Sequence, residues 1–162
     1  MSVAAHVAPG LVFAFEERVS LSPPLVIGPV PAGLRRIIPI GSGTFDGPGY
    51  QGEGLAGKII PGGADWQMLR HDGVDDLQAR YTLETNQGEL IYVSVQGMRT
   101  GPDEVMHRLR AGEVVDPSLY YFRGSAIFET SSPELGWMTR SVFVISGERY
   151  PSEVVIRFWR VL

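Results

Sequence analysis

Residues 59–85 read IIPGGADWQMLRHDGVDDLQARYTLET, and this stretch decides the fold class. In its second half Leu77, Ala79, Tyr81 and Leu83 are apolar, and Gln78, Arg80, Thr82 and Glu84 between them are polar. Successive side chains of a strand point to opposite faces, so this pattern buries one face and wets the other. Asp72-Gly73 between the two halves is a tight hairpin signal, because such residues accept the positive φ of a two-residue turn. Asp65–His71 is therefore the partner strand of Leu77–Thr85. Just before it, Pro61-Gly62-Gly63 reads as a corner that delivers a carboxylate, an indole and an amide (Asp65, Trp66, Gln67) where a strand begins.

Outward from this hairpin the same grammar repeats. Asn86-Gln87-Gly88 leads into a strand over Glu89–Met98, which carries Tyr92. Upstream, Leu11–Ser20 and Leu34–Ile40 have strand character, whereas Leu25–Ala32 contains Pro29 and Pro31 and reads as a loop or edge segment. Nine glycines fall within residues 41–63, with no Gly-Lys-Ser/Thr sequence and no helix after them, so they mark bends in a curved sheet and not a phosphate cradle. Tyr50–Ile60 reads as a strongly bent strand. Pro102–Ala111 is the one convincing helix, with acids first, arginines last and Gly112 beyond, and it is placed as a lid or plug over one barrel end. Three further runs, Leu119–Thr130, Trp137–Ser146 and Val154–Leu162, have short connectors that favour antiparallel neighbours.

The expectation is an all-β fold with one short helix: a closed or nearly closed antiparallel up-and-down β-barrel of about eight to ten strands, lipocalin-like in size. A β-sandwich is the second choice. Residues 1–10 read as a leader, and residues 11–162 as a single barrel domain.

Composition narrows the function classes. The 162 residues carry a net charge of −4 and a single lysine, Lys58, which disfavours a nucleic-acid surface. Without cysteine there is no disulfide, thiolate zinc site or cysteine nucleophile. The three histidines are scattered, which disfavours a metal site. No apolar run approaches the roughly 20 residues that span a bilayer as a helix, and the N-terminal stretch lacks signal-peptide character, so a cytoplasmic protein is expected. The partner expected is a small-molecule ligand, with neither nucleic acid nor membrane; a homo-oligomer stays open. No cofactor is expected.

Two constellations could carry chemistry. Alternation puts Asp65 and Gln67 on one face and Trp66 on the other, and Asp65 is read either as a general base or as a turn cap. Tyr121, Arg123, Ser125 and Glu129 share a face that is either a wet exterior or a polar lumen, in which Arg123 would favour carboxylate or enolate ligands. The candidate catalytic residues are Asp65, Arg123 and Tyr121, and the candidate ligand-binding residues are Trp66, Gln67, Arg80, Tyr92, Glu129 and Trp137.

Several segments together resemble the domain of unknown function 3237, also called uncharacterised protein family 0311. They are Gly33–Ile40, Ile60–Gln67, Asp72-Gly73, Ala79-Arg80-Tyr81 with Gly88–Ile91, and Tyr120–Arg123 with Phe128-Glu129-Thr130 and Trp137. The likeness runs from about Leu11 to Leu162, departing at Gly124 and Ser131–Glu134. It implies an antiparallel β-barrel of bacterial type and leaves activity open. The residues favour a cofactor-independent acid/base enzyme of isomerase, lyase or hydratase type acting beside a carbonyl, with Asp65 as base, Arg123 as oxyanion stabiliser, Tyr121 as donor and Trp66 as apolar wall. The alternatives are a non-catalytic carrier or sensor of an aromatic or acidic metabolite and a barrel filled by its own side chains.

Overall fold

A computed structural model describes residues 6–162. Nine strands form one antiparallel sheet: β1 (Leu11–Leu21), β2 (Leu25–Val30), β3 (Gly33–Gly47), β4 (Leu55–Arg70), β5 (Asp75–Thr85), β6 (Leu90–Thr100), β7 (Tyr121–Glu129), β8 (Phe143–Arg149) and β9 (Glu153–Val161). The run from β3 to β9 is a sequential meander, and β1 closes it by pairing with both β9 and β3. The result is an eight-stranded closed barrel with β2 as a flanking ninth strand.

β1 and β2 pair in tandem with the two halves of β3, and Ser22-Pro23-Pro24 separates them. Prolines cannot donate to a ladder, so the interruption falls where they stand. Residues 1–5 of the expected leader lie outside the described residues.

The Pro-Gly-Gly stretch is not a corner between two strands but a bulge inside one. Ile60 pairs with Thr82 and Ala64 with Arg80, so four steps along β4 are matched by two along β5. The extra residues bend β4 and re-aim the side chains beyond the bulge. Gly62 has φ 125°, and a Cβ on Gly63 would stand 2.3 Å from the Arg80 carbonyl oxygen, so both positions require glycine.

Two further expectations change. Tyr50 belongs to a turn, with Gln51 at φ 53°, and β4 starts only at Leu55. Trp137–Ser146 is not one strand: Gly136–Thr139 is a helical turn, α2, and β8 starts at Phe143. The turn buries Met138 in the core and sets the Trp137 ring 5.8 Å from that of Phe143. The expected helix forms as α1 (Asp103–Arg110), with Pro102 at its N-cap position.

The barrel has two unlike ends. At one, Phe15, Phe45, Phe128, Phe143 and Phe158 fill the lumen, with Phe15 and Phe158 stacked at 4.4 Å between ring centroids. At the other end the N-terminal part of β5 and the C-terminal parts of β4, β6 and β8 bring ionisable side chains inward. α1 packs there: Met106 and Leu109 join the core, and Arg110 reaches the β4–β5 hairpin at the Gly73 carbonyl.

Candidate functional site

A cavity of about 70 Å³ occupies the charged end of the lumen. Val19, Ile38, Ile40, Leu77, Val95, Phe122, Ile145 and Ile156 give it apolar walls, into which Asp65, Gln67, Tyr81, Arg99 and Arg149 project polar groups. Apolar walls with a few convergent polar groups are the usual form of a small-molecule site. The size suits a compact ligand end, being about half of the ~150 Å³ apolar cavity that takes a benzene ring.

Asp65 is delivered by the β4 bulge. The β4–β5 pairing passes from Asp65↔Ala79 to Met68↔Asp76, and the Asp65 carboxylate fills part of the gap: its Oδ1 accepts from the Gln78 backbone N–H at 2.9 Å. Its Oδ2 accepts from Gln67 Nε2 at 3.3 Å. Among the described residues no arginine lies within salt-bridge distance of it, and burial raises its pKa from 3.8 to about 6 against the opposing pull of these hydrogen bonds and of Arg99. The group therefore sits close to the range in which a carboxylate can both take and return a proton near neutral pH.

Three guanidinium groups from three strands converge on this end. Arg99, 3% exposed, is held by Asp75, with Nη2 to Oδ2 at 2.9 Å, and Arg110 clamps the other Asp75 oxygen at 2.6 Å. That triad ties α1 to β5 and β6 and fixes Arg99 over the Phe122 ring. Arg36, on β3, donates to Gln67 Oε1 through both Nε and Nη2. The Arg149 guanidinium, on β8, donates to the Glu153 carbonyl oxygen, while its backbone N–H donates to the Tyr120 hydroxyl.

Among the described residues neither Arg36 nor Arg149 has a carboxylate within 4.0 Å. Burial first, then the neighbouring charges of Arg99 and Arg36, depress the Arg149 pKa from 12.5 to about 10. An anion in the cavity would relieve that repulsion. Gly147, two residues before Arg149, lets the Phe122 ring lie against the backbone, since a Cβ there would fall 2.5 Å from Phe122 Cε1.

Below the cavity, the Tyr81 hydroxyl donates to Glu17 Oε2 at 2.7 Å. Glu17 is fully buried on β1, its Oε1 has no hydrogen-bond partner among the described residues, and burial raises its pKa from 4.5 to about 8. The pair bridges β1 and β5 across the lumen and separates the cavity from the aromatic end.

Of the residues singled out from the sequence, Asp65 and Gln67 line this cavity. Arg123 and Tyr121 do not join them. They stand exposed on the outer face of β7, Arg123 against the Tyr121 ring and along a surface groove with Met98 and Trp159. β7 turns Phe122, Ala126 and Phe128 inward, so its odd-numbered residues, Glu129 included, face out. Trp66, Arg80 and Tyr92 are outward-facing on the same principle. Trp137, in α2, stacks on Tyr50 at 5.7 Å beyond the aromatic end.

The sequence reading missed Glu17, Arg36, Tyr81, Asp75, Arg99 and Arg149. A signal existed: each ionisable residue occupies the parity of its strand's buried apolar set. Arg99 continues Ile91, Val93 and Val95; Arg149 continues Phe143 and Ile145; Asp75 precedes Leu77; Glu17 lies between Phe15 and Val19.

Comparison with known proteins extends this picture. Residues 9–161 match a family described as a protein of unknown function, DUF3237. A UPF0311 protein of Clostridium acetobutylicum is 38% identical over 148 residues, covering 91% of this chain and 90% of the relative. The crystal structure of a conserved protein of unknown function from Rhodopseudomonas palustris superposes with a TM-score of 0.90 at 36% identity, covering 97% of this chain and 100% of that one. At 17% identity, the crystal structure of an enzyme from Penicillium herquei shares the fold alone, with a TM-score of 0.72 over 99% of this chain and 100% of that one.

Proposed function

This chain belongs to the DUF3237 family, and on that barrel scaffold we propose that it takes a small acidic metabolite into the lumen and carries out cofactor-independent acid/base chemistry beside a carbonyl. One observation carries the reading: a carboxylate whose pKa burial raises to about 6, Asp65, faces the same apolar cavity as Arg149, a guanidinium without a carboxylate partner among the described residues. A ligand carboxylate would pair with Arg149, where burial strengthens a charge-assisted bond. Asp65 in its ionised form would then remove a proton from the carbon next to the ligand carbonyl, and Arg99 would stabilise negative charge developing on the carbonyl oxygen. Isomerases, lyases and hydratases acting next to carbonyls share this first step.

A carrier or sensor is the second reading. It is favoured by the bond from the Gln78 N–H to Asp65 Oδ1, which gives the carboxylate a structural task in the wall. The two readings separate in one experiment with acetate and pyruvate as probes. Thermal shift reports binding, and proton NMR in D2O reports exchange of the pyruvate methyl protons. Catalysis predicts stabilisation by both acids and methyl exchange that Asp65→Asn abolishes. Stabilisation without exchange selects the carrier, and absence of stabilisation by either acid overturns both readings.

A further inference from the structure

The buried pair beneath the cavity takes no part in proton abstraction by Asp65 or in carboxylate binding by Arg149. Glu17 is 0% exposed, and among the described residues its side chain bonds only to the Tyr81 hydroxyl, through Oε2, and its Oε1 has no partner. Tyr81 itself lines the cavity. An ionised carboxylate with one hydrogen bond in such surroundings is heavily penalised, so the acid holds its proton. A neutral carboxyl has one O–H to place. With Tyr81 donating to Oε2, the acid's own proton has no acceptor. With the acid donating to the Tyr81 oxygen instead, the Glu17 proton has an acceptor and the tyrosine proton is released to an acceptor elsewhere.

We infer that Glu17 and Tyr81 act as one unit, in which the neutral acid donates to the tyrosine oxygen and the tyrosine hydroxyl donates to the carbonyl oxygen of a ligand seated in the cavity. The placement suits this role. Asp65 pairs with Ala79, and Tyr81 lies two residues further along β5, one inward-facing position deeper, so the two groups address adjacent levels of the same ligand. Asp65, Tyr81 and Arg149 all line the one cavity, so a ligand carbonyl at Tyr81 stays in the same enclosure as the proposed base and the proposed carboxylate anchor. The inference rests on the acid-binding reading of this cavity.

The proton count closes without any further reactant. Asp65 takes a proton from carbon, the Tyr81 proton passes to the carbonyl oxygen, and the Glu17 proton passes to the Tyr81 oxygen. The ligand is then an enol, Asp65 an acid and Glu17 a carboxylate. Return of the enol proton to Tyr81 and of the Tyr81 proton to Glu17, while Asp65 protonates carbon, restores the starting state. Tyr81 is thus the group that touches the ligand, and Glu17 positions its proton.

The test is difference infrared spectroscopy of the whole protein at neutral pH, in the carbonyl-stretch region of protonated carboxylic acids. The band is assigned by its loss in Glu17→Gln or, should that variant not fold, by carbon-13 labelling of glutamate, which also separates it from any protonated aspartate. Pyruvate, which carries a carboxylate and a ketone, is expected to displace the band; acetate, which carries only the carboxylate, is expected to bind and leave it in place. Tyr81→Phe is expected to weaken pyruvate about tenfold and acetate not at all, the loss of one hydrogen bond. Absence of the protonated-glutamate band, or pyruvate binding that leaves it unmoved, overturns the dyad while the acid-binding reading stands. Failure of both acids to bind removes that reading and the inference with it.

Discussion

The aromatic end and the arginine end of this barrel are made by the same eight strands, through the same alternation, and yet have opposite characters. At the first, inward positions hold Phe15, Phe45, Phe128, Phe143 and Phe158, packed ring against ring, with Trp137 of α2 against Phe143. At the second, equivalent inward positions hold Asp65, Asp75, Arg36, Arg99 and Arg149, and a cavity remains. Rings bury large areas of apolar surface and supply stability, whereas desolvated charges cost free energy that only partners or a ligand restore. The fold therefore gathers its aromatic packing in one half of the lumen and its ionisable groups in the other. The Glu17–Tyr81 bond marks the border between them.

That division is open to direct attack, and the largest effect is expected at the border itself. Because the folded-state pKa of Glu17 is raised from 4.5 to about 8, the folded protein keeps a proton that the unfolded chain has released. Its stabilising contribution is complete below the unfolded value and is lost as pH rises through the folded one, at up to about 1.4 kcal/mol per pH unit in between. Asp65, raised from 3.8 to about 6, adds a slope of the same sign in the lower part of that window. Urea unfolding measured across neutral pH should show wild-type stability falling as pH rises, and Glu17→Gln should flatten the upper part of the curve. An equal slope in the variant would place the titrating group elsewhere.

Next in size is Phe158→Ala, which opens the packed end. The side chain is fully buried and stacked on Phe15, so the loss should be about 3–5 kcal/mol in unfolding free energy. Acetate affinity of the fraction that remains folded should be unchanged, and a parallel loss of binding would show that the two ends are not separate. Arg149→Met reverses the pattern. It should reduce acetate affinity by roughly 10- to 100-fold, the worth of a hydrogen bond to a charged group, with no fall in unfolding free energy, because a half-buried cation with no carboxylate partner among the described residues is removed. Arg123→Ala, on the outer face of β7, should have the smallest effect, within about 0.5 kcal/mol of wild type in stability and with acetate binding intact.

Much of the architecture is legible in the chain itself. The Leu77–Leu83 alternation, the Asp72-Gly73 hairpin and the short connectors of the last third are local signals, and they suffice for an antiparallel barrel. Ser22-Pro23-Pro24 marks the break between β1 and β2 for an equally local reason. Gly62-Gly63 was legible as a bend, but the sequence does not distinguish a corner from a bulge, since that depends on whether β5 continues alongside. Trp137–Met138 carries strand-like residues that a buried contact with Phe143 winds into a helical turn, a tertiary effect overriding propensity.

The candidate site was legible only at Asp65 and Gln67. Tyr121-Phe122-Arg123 drew attention because polar and aromatic groups stand together in sequence, but alternation sends Phe122 inward and its neighbours outward. The rest of the polar lining comes from residues that look isolated along the chain, Tyr81 on β5, Arg99 on β6 and Arg149 on β8, backed by Arg36 on β3 and Glu17 on β1. The sequence by itself determined the strand periods, the turns and hence the kind of sheet, because these arise from forces between residues a few positions apart. Only the tertiary structure decided which acid meets which guanidinium and how much hollow remains between them: closing the barrel pairs β1 with β9 at separations of up to 150 residues, as between Leu11 and Val161, and no local rule specifies that meeting.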